Sequence, residues 1–444
     1  MASRGRILCA LLIAAFGGGV VACYPGAAKG AALAQVEGGP TQVSQRPVLS
    51  NPGPSQSNPQ SNQGLGKSHA GQARLTPGEL GQAAYALERA GKSAEAEEAW
   101  RAFSRTYPSD PDPYAHLGLL EARQEHYNEA IGCYRKALAL RPSMSGLRTN
   151  LALAYFKAGE YKDALLLLKP LLRAQTVGSD EAQRLTILIG MSHYGLGEFV
   201  AATPYLKQAS IHDAHNLTLL LTMAHSCLLT KQYACVLESY HRIIALDADS
   251  TEAHVLAGEA LDEMKDTQGA VREFRAAVAA NPKEFNVHFG LGYLLWTQGQ
   301  TEEAAREFQA ELNNKPDHAL AMLYLADSLI QLNREEEARP LLEASVKSNP
   351  ENAMGHLDLG IIYTGDGRKE EALRELLAAA ALKPEDVSAH YRLGRLYRAM
   401  GKTDEANAEL AKSKTLNKMA DEKLLKLFSR VPHGESTAPA TAKP

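Results

Sequence analysis

Hydrophobic and small residues recur along this chain with a period of 34 residues, from about Pro77 to Lys418. In the copies that begin at Thr251, Phe285 and Ala353, a glycine stands at the eighth position and an alanine at the twentieth. In most copies a bulky apolar residue precedes the eighth position and another follows it three places later. Within each half of a copy the apolar positions fit the i, i+3, i+4, i+7 spacing of a helix face. The pattern therefore predicts two short helices in each copy.

Turn and stop signals divide the copies from one another. A glycine or polar turn near the fifteenth position separates the two helices, and a proline near the thirty-second position ends the second helix in several copies. Ten blocks are counted, over residues 77–110, 111–144, 145–178, 183–216, 217–250, 251–284, 285–318, 319–352, 353–386 and 387–420. Because one helix pair cannot bury its apolar face alone, neighbouring blocks must stack into a linear array with an exposed inner surface.

The block over residues 111–144 carries a specific set of repeat residues. They are Tyr114, Leu117, Gly118, Ala130, Tyr134, Ala137 and Pro142. This set resembles the tetratricopeptide repeat (TPR) family, and the resemblance covers about three quarters of the chain. It implies an all-α fold, a right-handed superhelical solenoid of about ten helix pairs over 77–418. The departures are four extra residues, Ser179 to Ala182, and alanines at positions 214 and 248 in place of the closing proline.

The two ends of the chain differ from the array. Arg4 and Arg6 precede an apolar run, and Val20-Val21-Ala22-Cys23 follows it. This layout predicts a secretory signal over 1–22. The segment Val20-Val21-Ala22-Cys23 resembles a bacterial lipobox, which implies that Cys23 becomes the lipidated first residue of the mature chain. At the other end, an amphipathic pattern over 419–430 predicts a separate capping helix, followed by a disordered tail over 431–444.

Two alternatives to the lipoprotein hypothesis stay open at this stage. Cleavage after Ala32-Leu33-Ala34 would release a soluble exported protein, and an uncleaved segment from Ile7 to Cys23 would remain as a membrane helix. The lipoprotein hypothesis and both of its alternatives place the repeats outside the cytoplasm. The sequence thus predicts a periplasm-facing lipoprotein of the cell envelope, on the outer membrane as Tyr24 suggests, with a secreted or soluble periplasmic protein as the alternative. Residues 23–75 are rich in Gly, Pro, Ser, Gln and Asn, which predicts a disordered tether.

Composition excludes several classes of function. The chain is 45% hydrophobic and 6% aromatic, with a net charge of −4, so it lacks the basic excess expected of a nucleic-acid-binding protein. It contains neither a glycine-rich phosphate loop nor a nucleophile elbow nor an HExxH motif. We therefore expect no catalytic residue, no metal or other cofactor, and no small-molecule substrate.

Histidines and cysteines are the remaining residues that bear chemistry. His254, His288, His356 and His390 share the fourth position of their blocks, so they are too far apart to converge on one metal ion, and we interpret them as packing residues. These blocks look like the TPR region of O-linked N-acetylglucosamine transferases, which suggests a carbohydrate-modifying enzyme only if a catalytic domain were present. Cys227 and Cys235 lie on the two helices of one block. We interpret them as buried small hydrophobic residues, with a disulfide as the alternative.

The inner surface is the predicted binding site. In the TPR family it is lined through the second, fifth, sixth, ninth, twelfth and thirteenth positions of the first helices. Carried onto this chain, these positions give a candidate partner-binding set of Val255, Phe289, Tyr293, Trp296, Leu323, Tyr324, Tyr391, Arg392, Arg395 and Arg398. Exposed aromatic and arginine side chains are typical of protein interfaces. The alternatives are that the aromatic residues pack into the wall and that the arginines form salt bridges with nearby acids.

Together these features predict a non-catalytic, exported and lipid-anchored scaffold. It would bind a partner peptide or protein segment in the concave groove, attach to a membrane through its lipid and help to assemble a cell-envelope complex. The alternatives are an accessory subunit of an envelope enzyme that acts on peptidoglycan or polysaccharide, and a soluble exported adaptor.

Overall fold

Twenty helices and no strand make up residues 75–144 and 146–428, the part of the chain that this computed structural model describes. This confirms the predicted all-α class. The helices are α1 (Pro77–Arg89), α2 (Ser93–Thr106), α3 (Asp112–Arg123), α4 (Tyr127–Leu140), α5 (Leu147–Lys157), α6 (Tyr161–Arg173), α7 (Asp180–Gly195), α8 (Phe199–His212), α9 (Leu217–Leu229), α10 (Tyr233–Leu246), α11 (Thr251–Glu263), α12 (Thr267–Ala280), α13 (Val287–Thr297), α14 (Thr301–Asn314), α15 (Ala319–Gln331), α16 (Glu335–Ser348), α17 (Ala353–Gly365), α18 (Lys369–Leu382), α19 (Val387–Ala399) and α20 (Thr403–Phe428). The predicted signal, Cys23, nearly all of the tether and the tail lie outside the described residues.

Odd-numbered helices are the first helix of a pair and even-numbered helices the second. The chain divides into two compact units, with the boundary between Ala260 and Leu261 inside α11. Each helix packs against the next one along the chain from α1 to α10 in the first unit and from α12 to α20 in the second. In the second unit the first helices of neighbouring pairs also touch, α13 with α15 and α17 with α19. None of the described helices combines the length and the apolar character needed to cross a membrane.

Glycine at the eighth position lets the two helices of a pair approach closely. A Cβ atom added to Gly118 would lie 2.6 Å from the ring of Tyr134 on the partner helix. At Gly360 the same atom would lie 2.6 Å from Leu376. Both partner side chains are buried. The small residues of the sequence pattern are therefore the points at which first and second helices cross.

The four extra residues between the third and fourth blocks form the start of α7. Ser179 caps this helix, because its hydroxyl accepts a hydrogen bond from the backbone N–H of Ala182 at 3.2 Å. Helix α7 is 16 residues long, and its first turn consists of residues that the repeat pattern does not require.

The C-terminal prediction requires a correction. Residues from Met419 onward do not form a separate capping helix, because α20 runs without a break from Thr403 to Phe428. Residues 403–428 contain no glycine or proline, so nothing at the junction of the tenth block and the predicted cap stops the helix.

The interpretation of the paired cysteines as buried thiols is also wrong. Cys227 on α9 and Cys235 on α10 form a disulfide, with Cα atoms 6.0 Å apart. That spacing is usual for a disulfide, and it arises because the short turn between α9 and α10 brings the two helix ends together. Cys133 is free and half-buried.

Candidate functional site

Five aromatic side chains form a cluster at the start of the second unit. This aromatic cluster consists of Phe289, Tyr293, Trp296, Phe308 and Tyr324. The ring of Tyr324 lies at its centre, 5.4 Å from Tyr293, 5.0 Å from Trp296 and 5.7 Å from Phe308 between centroids. Ring pairs at these separations stabilise a fold beyond the burial of their area. The cluster therefore links three helices, α13, α14 and α15.

This packing corrects part of the predicted binding set. Phe289, Tyr293, Leu323 and Tyr324 are buried in the interior, with 1%, 2%, 1% and 6% of their surface exposed. They occupy first-helix positions expected on the surface, but large neighbouring side chains from adjacent repeats cover them. The alternative interpretation, packing into the wall, applies to these four residues. Val255 is half-buried and belongs to the first unit.

A buried carboxylate fixes the start of α13 beneath the cluster. Asn286 precedes the helix in a left-handed conformation, with φ at 68°. The backbone N–H groups of Asn286 and Phe289 donate to the carboxylate of Glu311 at 3.1 and 3.2 Å. Burial raises the pKa of Glu311, while these two hydrogen bonds act in the opposite direction. Glu311 thus caps the helix from the neighbouring helix α14 and sets the orientation of α13.

Trp296 is the member of the cluster that stays partly exposed. Its indole Nε1–H donates to Oδ2 of Asp327 on α15 at 2.5 Å. The side-chain amide of Gln331 donates to the same oxygen at 2.6 Å. Because its polar atom is held by Asp327, the indole ring is fixed in place, and the exposed part of the ring is available for an apolar contact.

Asp358 on α17 is a buried carboxyl group close to this position. Only 7% of the residue is exposed, and its Oδ2 has no hydrogen-bond partner within the described residues. Burial, and to a lesser extent the negative charge of Asp327, raise its pKa to about 8. A single carboxyl group at one position of one block gives no periodic signal, so the sequence did not single it out.

Three arginines lie in a row on α19, the first helix of the tenth pair. Arg392, Arg395 and Arg398, called the arginine row below, are all exposed. At 3.6 residues per turn, Arg395 lies about 100° around the helix from Gly394, the position at which α20 packs against α19. The guanidinium group of Arg395 lies 5.9 Å from the ring centroid of Tyr391, whose side chain is 45% exposed. The predicted arginines and tyrosine therefore share one solvent-facing surface.

The periodic histidines serve the fold. The Nδ1 atoms of His288, His356 and His390 lie 2.6, 2.7 and 2.5 Å from the carboxylates of Glu307, Glu375 and Glu409 on the second helix of the same pair. Nε2 of His356 and of His390 also lies 3.0 and 2.9 Å from a proline carbonyl oxygen that ends the preceding pair. In the described part of the chain, no group of three His, Cys, Asp or Glu side chains could hold a metal ion. These contacts agree with the interpretation of the histidines as packing residues.

The candidate residues that stay at least partly exposed on first helices of the second unit are Trp296 on α13, and Tyr391 and the arginine row on α19. We call this set the first-helix surface. It offers partly exposed aromatic rings at two places and three guanidinium groups at one end. Such a surface can bind a chain segment through apolar contacts and charge-assisted hydrogen bonds.

Comparison with family models identifies the repeats. A model described as tetratricopeptide repeat matches residues 82–145, 255–319, 289–353, 323–387 and 357–414, and a second model with the same description matches 121–186. The first model alone spans just over half of the chain. The matches confirm the TPR resemblance of the sequence.

Two curated proteins match parts of the chain. The peroxisomal targeting signal receptor of Kluyveromyces lactis is 38% identical over 85 residues, which cover 19% of this chain and 14% of the receptor. The BBSome complex member BBS4 of Bos taurus is 26% identical over 215 residues, covering 42% of this chain and 41% of that protein. The chain spans less than half the length of either relative.

Two solved structures, MamA and YrrB, match parts of the chain. MamA from Desulfovibrio magneticus RS-1 is 22% identical, covers 38% of this chain and 97% of its own, and has a TM-score of 0.35. YrrB, described as a TPR protein with an unusual peptide-binding site, is 18% identical, covers 43% of this chain and 96% of its own, and has a TM-score of 0.36.

Proposed function

Because the chain belongs to the tetratricopeptide repeat family, we propose that it is a non-catalytic scaffold that binds a segment of a partner protein on its first-helix surface. The observation that carries this proposal is the exposed arginine row beside the exposed Tyr391. Large polar and aromatic side chains of this kind supply most of the binding energy at protein interfaces. The partly exposed Trp296 adds a second aromatic contact on the same series of first helices.

We further propose that the scaffold works outside the cytoplasm, attached to the cell envelope through a lipidated Cys23. The signal-like layout of residues 1–22 supports export. The disulfide between Cys227 and Cys235 supports it independently, because disulfides persist in oxidising compartments and are rare in the cytosol. In this setting the partner is a component of an envelope complex.

A crosslinked pull-down from envelope extracts tests the binding surface. The test variant combines Trp296→Ala, Tyr391→Ala and Arg395→Ala and leaves the buried members of the aromatic cluster intact. The matched control combines Arg374→Ala, Leu377→Ala and Leu382→Ala, which remove one exposed arginine and two exposed apolar side chains from the second helix α18. Both variants are checked for unchanged helicity by circular dichroism.

We expect a partner that the wild-type chain and the control capture and that the surface variant does not. Interface residues of these types each weaken binding on the order of tenfold or more when truncated. A partner captured equally by all three proteins would contradict the proposed surface. Loss of the partner from the control as well would show that binding depends on the second helices.

A further inference from the structure

Among the described side chains of its own unit, the arginine row has no acidic partner. Elsewhere in that unit exposed arginines do find carboxylates, as Arg275 does with Glu303 at 2.8 Å and Arg334 with Glu337 at 2.7 Å. Within residues 75–422, apart from position 145, no ion pair joins Arg392, Arg395 or Arg398 to any carboxylate. Three positive charges thus remain uncompensated on one side of one helix, which is unfavourable unless another group neutralises them.

The spacing of the row indicates how many acidic groups it can bind. With a rise of 1.5 Å per residue, Arg392 and Arg398 stand about 9 Å apart along the axis of α19. One guanidinium group can hold one carboxylate through two parallel hydrogen bonds. A single carboxylate therefore cannot bridge the row, whereas two or three side-chain carboxylates of an extended segment can.

The chain itself offers no such segment outside the described residues. Residues 1–74 contain Glu37 as their one acidic residue, and residues 429–444 contain Glu435 as theirs. Residues 1–74 also contain six lysines and arginines, Arg4, Arg6, Lys29, Arg46, Lys67 and Arg74. By charge, these two segments do not complement the row, which favours another molecule as the source of the acidic groups.

We propose that the arginine row binds the side-chain carboxylates of an internal acidic segment of the partner protein, with an apolar side chain of that segment against Tyr391. This inference rests on the proposed function, because it specifies the partner chemistry of the same surface. Charge complementarity of this kind steers association and selects against basic segments. The segment is internal because the row calls for several carboxylates rather than for one chain end.

Calorimetric titration of the full chain with synthetic peptides tests the inference. The probe is a short peptide of alternating glutamate and tyrosine, acetylated at its N-terminus and amidated at its C-terminus so that it has no terminal carboxylate. Matched peptides replace every glutamate with glutamine or with lysine. The row variant is Arg392→Glu, Arg395→Glu and Arg398→Glu. The control variant, Arg272→Glu, Arg306→Glu and Arg374→Glu, makes the same charge change at exposed arginines on second helices.

The wild-type chain is expected to bind the glutamate peptide on the order of tenfold or more tightly than the glutamine peptide, since charge-assisted hydrogen bonds are about twice as strong as neutral ones. The affinity should fall as salt concentration rises. The row variant should lose this preference and favour the lysine peptide, while the control variant should behave like the wild-type chain.

Several results would overturn the inference. They are equal binding of the glutamate and glutamine peptides, equal loss in the row and control variants, binding that needs a free C-terminus, and no binding of any peptide. Dissociation of a dimer of this chain by the row variant, seen by sedimentation, would identify a second copy as the occupant and would also overturn it. If a variant with Trp296→Ala and Tyr391→Ala alone, which keeps the arginine row, still loses the partner in the pull-down in any of these cases, the proposed function holds and only the acidic segment is rejected.

Discussion

At the scale of single residues, Asp358 makes folding depend on pH. Burial, and secondarily Asp327, raise its pKa from the ordinary value of 3.8 to about 8. Between these two values the folded chain holds a proton on Asp358 that the unfolded chain has released. Because the folded state then binds more protons than the unfolded state, the free energy of unfolding falls as pH rises through this window.

Replacement of Asp358 by asparagine is expected to remove this pH dependence. Asparagine keeps the size of the side chain and cannot ionise, so no charge needs to be buried at high pH. The variant should exceed the wild-type chain in unfolding free energy at pH 8 by more than about 1 kcal/mol, and the gap should shrink at pH 5. Urea denaturation followed by circular dichroism at both pH values measures the difference. The exposed Asp421→Asn should leave the pH dependence as it is, and an unchanged slope for Asp358→Asn would show that the buried carboxyl group is not its source.

The exposure of individual side chains was the feature that the sequence predicted least well. Phe289 and Tyr391 both occupy the fifth position of a block, yet the first is buried and the second is 45% exposed. The position in the repeat is the same, but Phe289 meets the rings of Phe308 and Tyr324 from neighbouring helices. Burial at such a position depends partly on side chains one repeat away, here Tyr324, which the pattern of a single block does not contain. The exposure of Arg392, Arg395 and Arg398 could be expected from the sequence, because arginine side chains are rarely buried in a protein interior.

At the scale of helices, the points at which the two helices of a pair cross could be predicted from the sequence. The 34-residue period and its small residues are local signals, since each first helix must pass its own second helix at the eighth position. The continuity of helix α20 could not be predicted in the same way. An amphipathic stretch after the last block fits a separate helix and an extension equally well, and only the absence of a stop signal between them distinguishes the two.

Two glycines of the second block allow a test of the crossing with opposite expected signs. Gly118→Ala would place a methyl group 2.6 Å from the buried ring of Tyr134, so we expect a loss of about 1–3 kcal/mol in unfolding free energy. Gly132→Ala adds the same methyl group to the exposed side of α4, where it meets nothing within 4 Å. There the better helix propensity of alanine should increase stability by up to about 1 kcal/mol. Chemical denaturation of the two variants measures both values. Equal effects of the two substitutions would mean that the glycine at the eighth position is not a packing requirement.

At the scale of the whole molecule, the proposal of an exported scaffold joins two distant features of the chain. The predicted lipidation at Cys23 depends on sequence signals alone, whereas the Cys227–Cys235 disulfide belongs to the packed interior of the first unit. Because an exported chain would have Cys23, Cys227 and Cys235 in the same compartment, we expect lipidation of Cys23 to occur together with the disulfide between Cys227 and Cys235. A chain retained in the cytosol would carry free thiols at positions 227 and 235 and would keep its N-terminal signal.

Mass spectrometry of protein isolated from cells reads both features in one experiment. The protein is denatured, alkylated without reduction and digested. We expect a first peptide that begins at Cys23 and carries the mass of its acyl chains, together with a peptide pair linked through Cys227 and Cys235 and free of alkylation. Cys133, the free cysteine of the array, should be alkylated and serves as the internal control. An unmodified N-terminus at or after Gln35 would reject the lipid anchor while leaving export in place. Alkylation of all three array cysteines would reject the oxidising compartment, because Cys227 and Cys235 would then be free thiols.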